Sequence, residues 1–128
     1  MTLKNKIDYW LENAEYDLES ADIMHKSRRY IYTVFMCQQA IEKIIKAIYL
    51  KEQEKEAPKS HNLSYLIGLI SLQISGEYLE LLAELSTYYI EGRYPTYKQK
   101  ISELLNNEKS ESILNKSKEL FLWLKEKI

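Results

Sequence analysis

The chain has 128 residues, of which 45% are hydrophobic and 29% are charged, and its formal net charge is −1 at pH 7. This balance is typical of one globular domain and excludes a disordered chain. The near-zero charge also argues against tight, nonspecific binding to duplex nucleic acid, which usually requires a distinctly basic protein. We therefore expect residues 1–128 to form a single domain.

Glycine, proline and cysteine are all rare: the chain has three Gly, two Pro and one Cys. Few helix breakers favour long helices joined by few loops. The lone Cys37 excludes an internal disulfide, as is usual in a reducing cytoplasm. No apolar run at the N-terminus resembles a signal peptide, and no stretch approaches the ~20 apolar residues of a membrane span. The sequence therefore predicts a cytoplasmic protein that does not contact membranes.

The first two predicted helices carry the clearest periodicity. Apolar residues recur at steps of three and four from Asp8, the predicted N-cap, to Lys26. A second helix over about residues 30–54 is the longest and most apolar, which is typical of the central element of a bundle. The apolar positions of the first helix are Leu11, Ala14, Leu18, Ala21 and Met24.

Shorter elements follow a charged loop that contains Pro58. Asn62 or Ser64 can cap a third helix that continues to Ile70, and Ser75-Gly76 then breaks the chain. We expect a fourth helix through residues 79–90, a short helical turn at 101–105 and a final helix over about 109–127. The sequence thus predicts an all-α fold: an antiparallel up-and-down helical bundle of four main helices plus a short extra helix.

Metal binding and nucleophilic catalysis are both disfavoured by the positions of the histidines and the cysteine. Neither His25 nor His61 follows a Glu by three residues, the spacing that bundles use for carboxylate-bridged metals. Cys37 lies on the apolar face of the central helix, where a thiolate is costly. We therefore predict no metal site and no catalytic residue, and a core position for Cys37.

A polar strip on the second helix is the first candidate binding site. Gln39, Glu42, Lys43 and Lys46 recur three or four residues apart. One interpretation is a solvated face with a Glu42–Lys46 pair at i,i+4. The other is a groove that directs amides and lysines at an anionic ligand. Spacing alone favours the solvated face.

The segment from Arg93 to Tyr97 is the second candidate. Arg93 suits bidentate contact with phosphate, while Tyr94 and Tyr97 could stack on a base. The alternative is a loop whose tyrosines cover the edge of the core. His61 could add a basic group, or could be an ordinary polar residue before the third helix that bonds a backbone group.

In their order along the chain, these segments resemble the HEPN family. The resemblance covers about residues 8–128, and no segment would suffice alone. The matching features are Ala14–Ala21, Arg29–Tyr30, Phe35, Gln38–Ala47, His61–Leu63 with Leu66, and Arg93–Pro95.

The resemblance implies a helical bundle that commonly pairs as a homodimer and is associated with nucleotides or RNA. It also implies a separate minimal nucleotidyltransferase as partner, frequently within a toxin–antitoxin pair. On this reading the chain is a nucleotide-binding module for a ligand such as ATP and needs no other cofactor. Its contacts would be phosphate-binding Lys43, Lys46 and Arg93, base-stacking Tyr94 or Tyr97, and His61 as a secondary contact.

The ribonuclease members of the family carry an Arg followed after four to six residues by a His. No histidine follows Arg93 in this chain, so the resemblance predicts a binding protein rather than an enzyme. One alternative is a degenerate, metal-independent ribonuclease toxin in which Tyr97 or His61 replaces the missing group. Another is an interaction protein, since eleven of the fifteen aromatic residues are tyrosines. Tyr30, Tyr32, Tyr88 and Tyr89 would then mark a homodimer surface.

Overall fold

A computed structural model describes residues 1–92 and 103–128. These residues form five α-helices and no strand, which confirms the all-α prediction. Four long helices make an up-and-down bundle, and one short helix lies between the second and the third of them. The helices are α1 (Leu3–Lys26), α2 (Tyr30–Gln53), α3 (Leu63–Ile67), α4 (Gly76–Gly92) and α5 (Asn107–Lys125).

The N-terminus of α1 was predicted at the wrong residue. Thr2 caps the helix, because its hydroxyl accepts a hydrogen bond of 3.1 Å from the backbone N–H of Asn5. Asp8 lies inside the helix and pairs with Lys4 instead. Leu3 and Ile7 extend the apolar series of Leu11 and Ala14 toward the N-terminus, so the periodicity was compatible with this earlier start.

The short helix of the bundle is α3. Asn62 caps it as predicted, through a bond of 3.1 Å from the backbone N–H of Tyr65. The helix ends at Ile67 and not at Ile70, because Gly68, a poor helix former, stands at its C-cap. Of the helical turn predicted at 101–105, residues 103 and 104 are helical, and residues 101 and 102 lie outside the described part of the chain.

Helix α2 is the centre of the bundle, as predicted, and packs against all four other described helices. Its side chains are buried around most of its circumference. Ala14 and Ala21 of α1 are fully buried and small, so α1 can lie close along α2. No helix in the described residues is long and apolar enough to cross a membrane. The largest fully buried side chains are Ile41, Ile44, Ile45, Leu50, Leu63, Leu66, Leu82, Leu85, Ile113, Leu120 and Leu124.

Candidate functional site

A buried carboxylate on α2 organises the polar residues nearest the candidate site. Glu42 Oε1 accepts hydrogen bonds from Gln38 Nε2 at 3.3 Å and from His61 Nδ1 at 2.8 Å. Its Oε2 accepts a bond from Lys46 Nζ at 3.1 Å. Gln38, Glu42 and Lys46 are four residues apart on one helix, so they stack along one line of its surface. We call these residues and His61 the Glu42 cluster.

Gln38, Glu42 and Lys46 lie inside the protein, so the interpretation of the strip as a solvated face is wrong for Glu42 and Lys46, whereas Gln39 and Lys43 are partly exposed. The side chains of Glu42 and Lys46 are each only 9% exposed, although they do form the expected i,i+4 pair. Trp10 of α1 lies against this part of α2, with Lys46 Nζ 5.7 Å from its ring centroid. Two charges can be buried there because each has a partner of opposite sign.

Lys43 is held separately from the cluster. Its Nζ donates a bond of 2.6 Å to Oδ2 of Asp17, which ties α2 to α1. The Lys43 side chain is 26% exposed, so it remains partly open to solvent. Lys46 and His61 therefore both bond the Glu42 carboxylate, whereas Lys43 bonds the carboxylate of Asp17.

His61 connects the cluster to the surface. Its side chain is 58% exposed, and its imidazole bonds the Glu42 carboxylate rather than the backbone group that the simpler interpretation expected. Its carbonyl accepts a second bond, of 2.9 Å, from Gln38 Nε2. Because Nδ1 faces Glu42, the other ring nitrogen, Nε2, is the one that a ligand can approach.

A row of aromatic rings continues from His61 across α4 and α2. The His61 ring lies 5.5 Å from the ring of Tyr89, which in turn lies 5.7 Å from the ring of Phe35. Phe35 meets Tyr32 edge to face at 6.2 Å. The surface beside His61 is therefore aromatic, a feature common in small-molecule sites.

Arg93, Tyr94 and Tyr97 lie outside the described residues, so the loop prediction stays a prediction. Arg93 directly follows Gly92, the last residue of α4. Tyr89, whose ring lies beside that of His61, precedes Arg93 by four residues in the sequence.

Sequence reasoning missed Gln38, Trp10 and Asp17 as partners of the candidate site. Gln38 was detectable, because Gln38, Glu42 and Lys46 form an uninterrupted i,i+4 series. Trp10 and Asp17 belong to another helix, and no local spacing relates them to α2.

Cys37 is a core residue, as predicted. It is fully buried, and burial raises the pKa of its thiol to about 12. The thiol is therefore protonated at neutral pH and unsuited to nucleophilic attack. In the described residues, no group of three or more His, Cys, Asp and Glu side chains could hold a metal ion.

The chain is similar to known proteins along nearly its whole length. A family model described as the HEPN domain matches residues 7–128. The crystal structure of TT1696 from Thermus thermophilus has 20% identity and a TM-score of 0.79, over 97% of this chain and 99% of that one. The crystal structure of ST0689, an archaeal HEPN homologue, has 23% identity and a TM-score of 0.72, over 93% of this chain and 94% of that one. No curated protein matches. At these identities the two structures establish a shared fold.

Proposed function

This chain belongs to the HEPN family, and on that premise we propose that it is a nucleotide-binding module that acts with a separate minimal nucleotidyltransferase. The observation that carries the proposal is the exposed imidazole of His61, held by buried Glu42 beside the ring of Tyr89. An oriented imidazole next to aromatic surface offers a nucleotide both a hydrogen-bonding group and a face for its base.

Lys43 and Lys46 supply positive charge on the same helix. A lysine ammonium has three donors, and Lys43 Nζ uses one of them on Asp17. It can therefore bond a phosphate without giving up Asp17. Lys46 is more deeply buried and already balances Glu42, so we assign it the weaker phosphate contact.

Arg93, Tyr94 and Tyr97 complete the proposed site on chemical grounds. A guanidinium forms paired hydrogen bonds with phosphate, and a tyrosine ring can stack on any base. The proposal assigns the main phosphate contact to Arg93 and base stacking to Tyr94 or Tyr97.

A second protein enters the proposal through the family resemblance, which implies a separate minimal nucleotidyltransferase as partner. The three glycines of this chain are at positions 68, 76 and 92, too far apart to build the phosphate-binding loop of a P-loop enzyme. In the proposed pair, which would resemble a toxin–antitoxin system, the nucleotidyltransferase performs the chemistry on the nucleotide.

We also propose that the module pairs with itself through the tyrosines of α2 and α4. Tyr32 is 43% exposed, whereas Tyr30 is half-buried, its hydroxyl accepting a bond from Asn107. Tyrosine combines apolar area with a hydroxyl and is enriched at interfaces for that reason.

Calorimetry with ATP and with GTP tests nucleotide binding directly. We expect saturable binding by the wild-type chain, and affinity reduced about tenfold or more in Arg93→Ala, since a hydrogen bond to a charged group contributes about 1.5–3 kcal/mol. Arg28→Asn is the matched control, because Arg28 is an exposed arginine at the α1–α2 corner. Its backbone φ is 61°, a conformation that asparagine tolerates. Unchanged affinity in Arg93→Ala, or no binding at millimolar nucleotide, would contradict the proposal.

A ribonuclease is the second candidate, favoured by one observation. The Glu42–His61 pair has the arrangement of a general base, in which a carboxylate orients an imidazole through Nδ1 and leaves Nε2 to take a proton. In that function His61 would accept the 2′-hydroxyl proton while the hydroxyl oxygen attacks the adjacent phosphorus, and the displaced 5′ oxygen would take a proton from water.

Incubating the purified protein with RNA and a metal chelator separates the two functions. Under the leading proposal the RNA stays intact. Under the ribonuclease alternative it is cleaved to 2′,3′-cyclic phosphate ends, and His61→Ala abolishes the cleavage. His25→Ala is the control, because His25 is the other histidine of the chain and bonds Ser110 instead. Cleavage that persists in His61→Ala would indicate a contaminating nuclease.

A further inference from the structure

Three large apolar side chains of α1 face away from the core. Tyr9, Tyr16 and Ile23 are 57%, 69% and 60% exposed. They are spaced by seven residues, so they lie on one line about 21 Å long at the helical rise of 1.5 Å per residue. We call them the α1 stripe. Burial of Ala14 and Ala21 already attaches α1 to α2, so the stripe contributes little to folding.

A groove runs beside the α1 stripe, between α1 and α5. Its volume is about 620 Å³. Leu18 and Phe121 are among the residues that line it, and Ile23 and Leu122 stand at its two sides. Leu122 is 62% exposed, so the stripe and the groove hold four of the nine large hydrophobic side chains that are exposed in the described residues. Apolar surface concentrated in this way usually marks an interaction site.

The charges around this surface leave a negative excess. Both lysines of the groove are already paired, Lys118 with Asp22 at 2.7 Å and Lys125 with Glu15 at 2.9 Å. Glu12 and Glu19 follow Tyr9 and Tyr16 by three positions and are exposed, whereas Lys26 follows Ile23 and is paired with Asp22 at 2.8 Å. Within the described residues neither Glu12 nor Glu19 forms a salt bridge.

The spacing and the charge together specify an occupant. Apolar residues seven apart pack against another α-helix lying nearly parallel or antiparallel to them. A symmetric antiparallel pair of this chain, centred on Tyr16, would place the same patch of each copy against the other and so bring Glu12 of each copy near Glu19 of its partner. That arrangement is electrostatically unfavourable, whereas a helix with basic flanks would neutralise both carboxylates.

We infer that the α1 stripe and its groove form a docking site for a basic amphipathic helix of a partner protein. The inference rests on the proposed function only in giving the chain a protein partner. It uses no residue of the Glu42 cluster or of the proposed nucleotide site.

A synthetic helix tests the site even though the partner is unidentified. The probe has about three heptads, a single stripe of leucine, lysine on both flanks and alanine elsewhere. The comparison peptide replaces every lysine with glutamate. By fluorescence anisotropy we expect saturable binding of the lysine peptide and binding at least about tenfold weaker for the glutamate peptide, because like charges at an interface are disfavoured.

Two double variants locate the binding without changing the net charge. Ile23→Ser/Leu122→Ser should abolish binding of the lysine peptide. Tyr65→Ser/Leu79→Ser removes two exposed apolar side chains elsewhere on the molecule and should leave it unchanged. Circular dichroism should show the same helix content in both variants, since all four side chains are exposed.

Several results would overturn the inference. These are equal affinity for the two peptides, no binding of either, or equal binding by the two double variants. Light scattering is also decisive: self-association that disappears only in Ile23→Ser/Leu122→Ser would make a second copy the occupant. An ATP titration of that variant separates the two proposals, because we expect it to bind nucleotide as the wild type does even though it no longer binds the peptide.

Discussion

Two regions of this bundle reverse the usual distribution of polar and apolar residues. The Glu42 cluster places charged side chains in the interior, where Glu42 and Lys46 are nearly inaccessible to solvent. The α1 stripe does the opposite and leaves Tyr9, Tyr16 and Ile23 more than half exposed. Both are departures from the pattern that folding alone produces, since buried charge and concentrated exposed apolar surface are each uncommon.

The two regions differ in what they do for the fold. Removing Glu42 or Lys46 alone would strand the buried charge of the other, so the cluster is part of the structure as well as of the candidate site. It also positions the segment before α3, because His61 is bonded through both its imidazole and its carbonyl. The α1 stripe makes no comparable contribution. Its exposed side chains are explained by a binding partner and not by the stability of the isolated chain.

The largest effect expected is from Glu42→Ala. The substitution leaves Lys46 buried without its partner and removes the acceptor for His61, and such a break in a buried ion pair costs about 3 kcal/mol or more. Urea unfolding followed by circular dichroism measures the loss. Glu12→Ala, an exposed carboxylate beside the α1 stripe, should change the free energy of unfolding by no more than about 0.5 kcal/mol.

A double variant makes this prediction sharper. Glu42→Leu/Lys46→Met replaces the pair with apolar side chains of similar size, which should recover most of the stability lost in Glu42→Ala. Failure to recover would mean that the bond to His61, and not the buried charge of Lys46, accounts for the loss. A value for Glu42→Ala close to that for Glu12→Ala would remove the distinction between the two regions.

The sequence predicted the helices well because periodicity of apolar residues determines where helices lie. The periodicity did not determine which faces of a helix are covered by neighbouring helices and which face solvent. The strip on α2 was assigned to solvent because its residues are charged, yet α1 covers it with Trp10. Gln38 and Gln39 both fit a three-or-four spacing to Glu42, but Gln38 alone continues the i,i+4 series of Glu42 and Lys46, and Gln38 is the fully buried member of the cluster.

The α1 stripe was missed because a helix of a bundle needs only one apolar face to enter the core. Leu11, Ala14, Leu18 and Ala21 supply that face, and all four are buried or partly buried. A second apolar series on the same helix was visible as Tyr9, Tyr16 and Ile23. Its heptad spacing is the signal, but nothing in the sequence says which of two apolar faces the bundle will cover.

A smaller effect is expected at Asp22, on the wall of the groove. Hydrogen bonds from Lys118 and then Lys26 lower the pKa of its carboxyl from 3.8 to about 2. Because the folded state holds this proton less tightly than the unfolded state, the contribution to stability is complete above the unfolded pKa. It is lost as the pH falls through the folded pKa.

Asp22→Asn should therefore destabilise the protein at pH 7 by about 1 kcal/mol or less, because the side chain is 30% exposed and water screens its charge. Unfolding measured at a series of pH values should show the variant and the wild type converging between about pH 4 and pH 2. Added salt should narrow the gap at pH 7, whereas the loss in Glu42→Ala should respond much less, because buried pairs are poorly screened. Equal salt sensitivity in the two variants would mean that the Glu42 cluster is open to water, and the contrast between a buried polar region and an exposed apolar one would no longer hold.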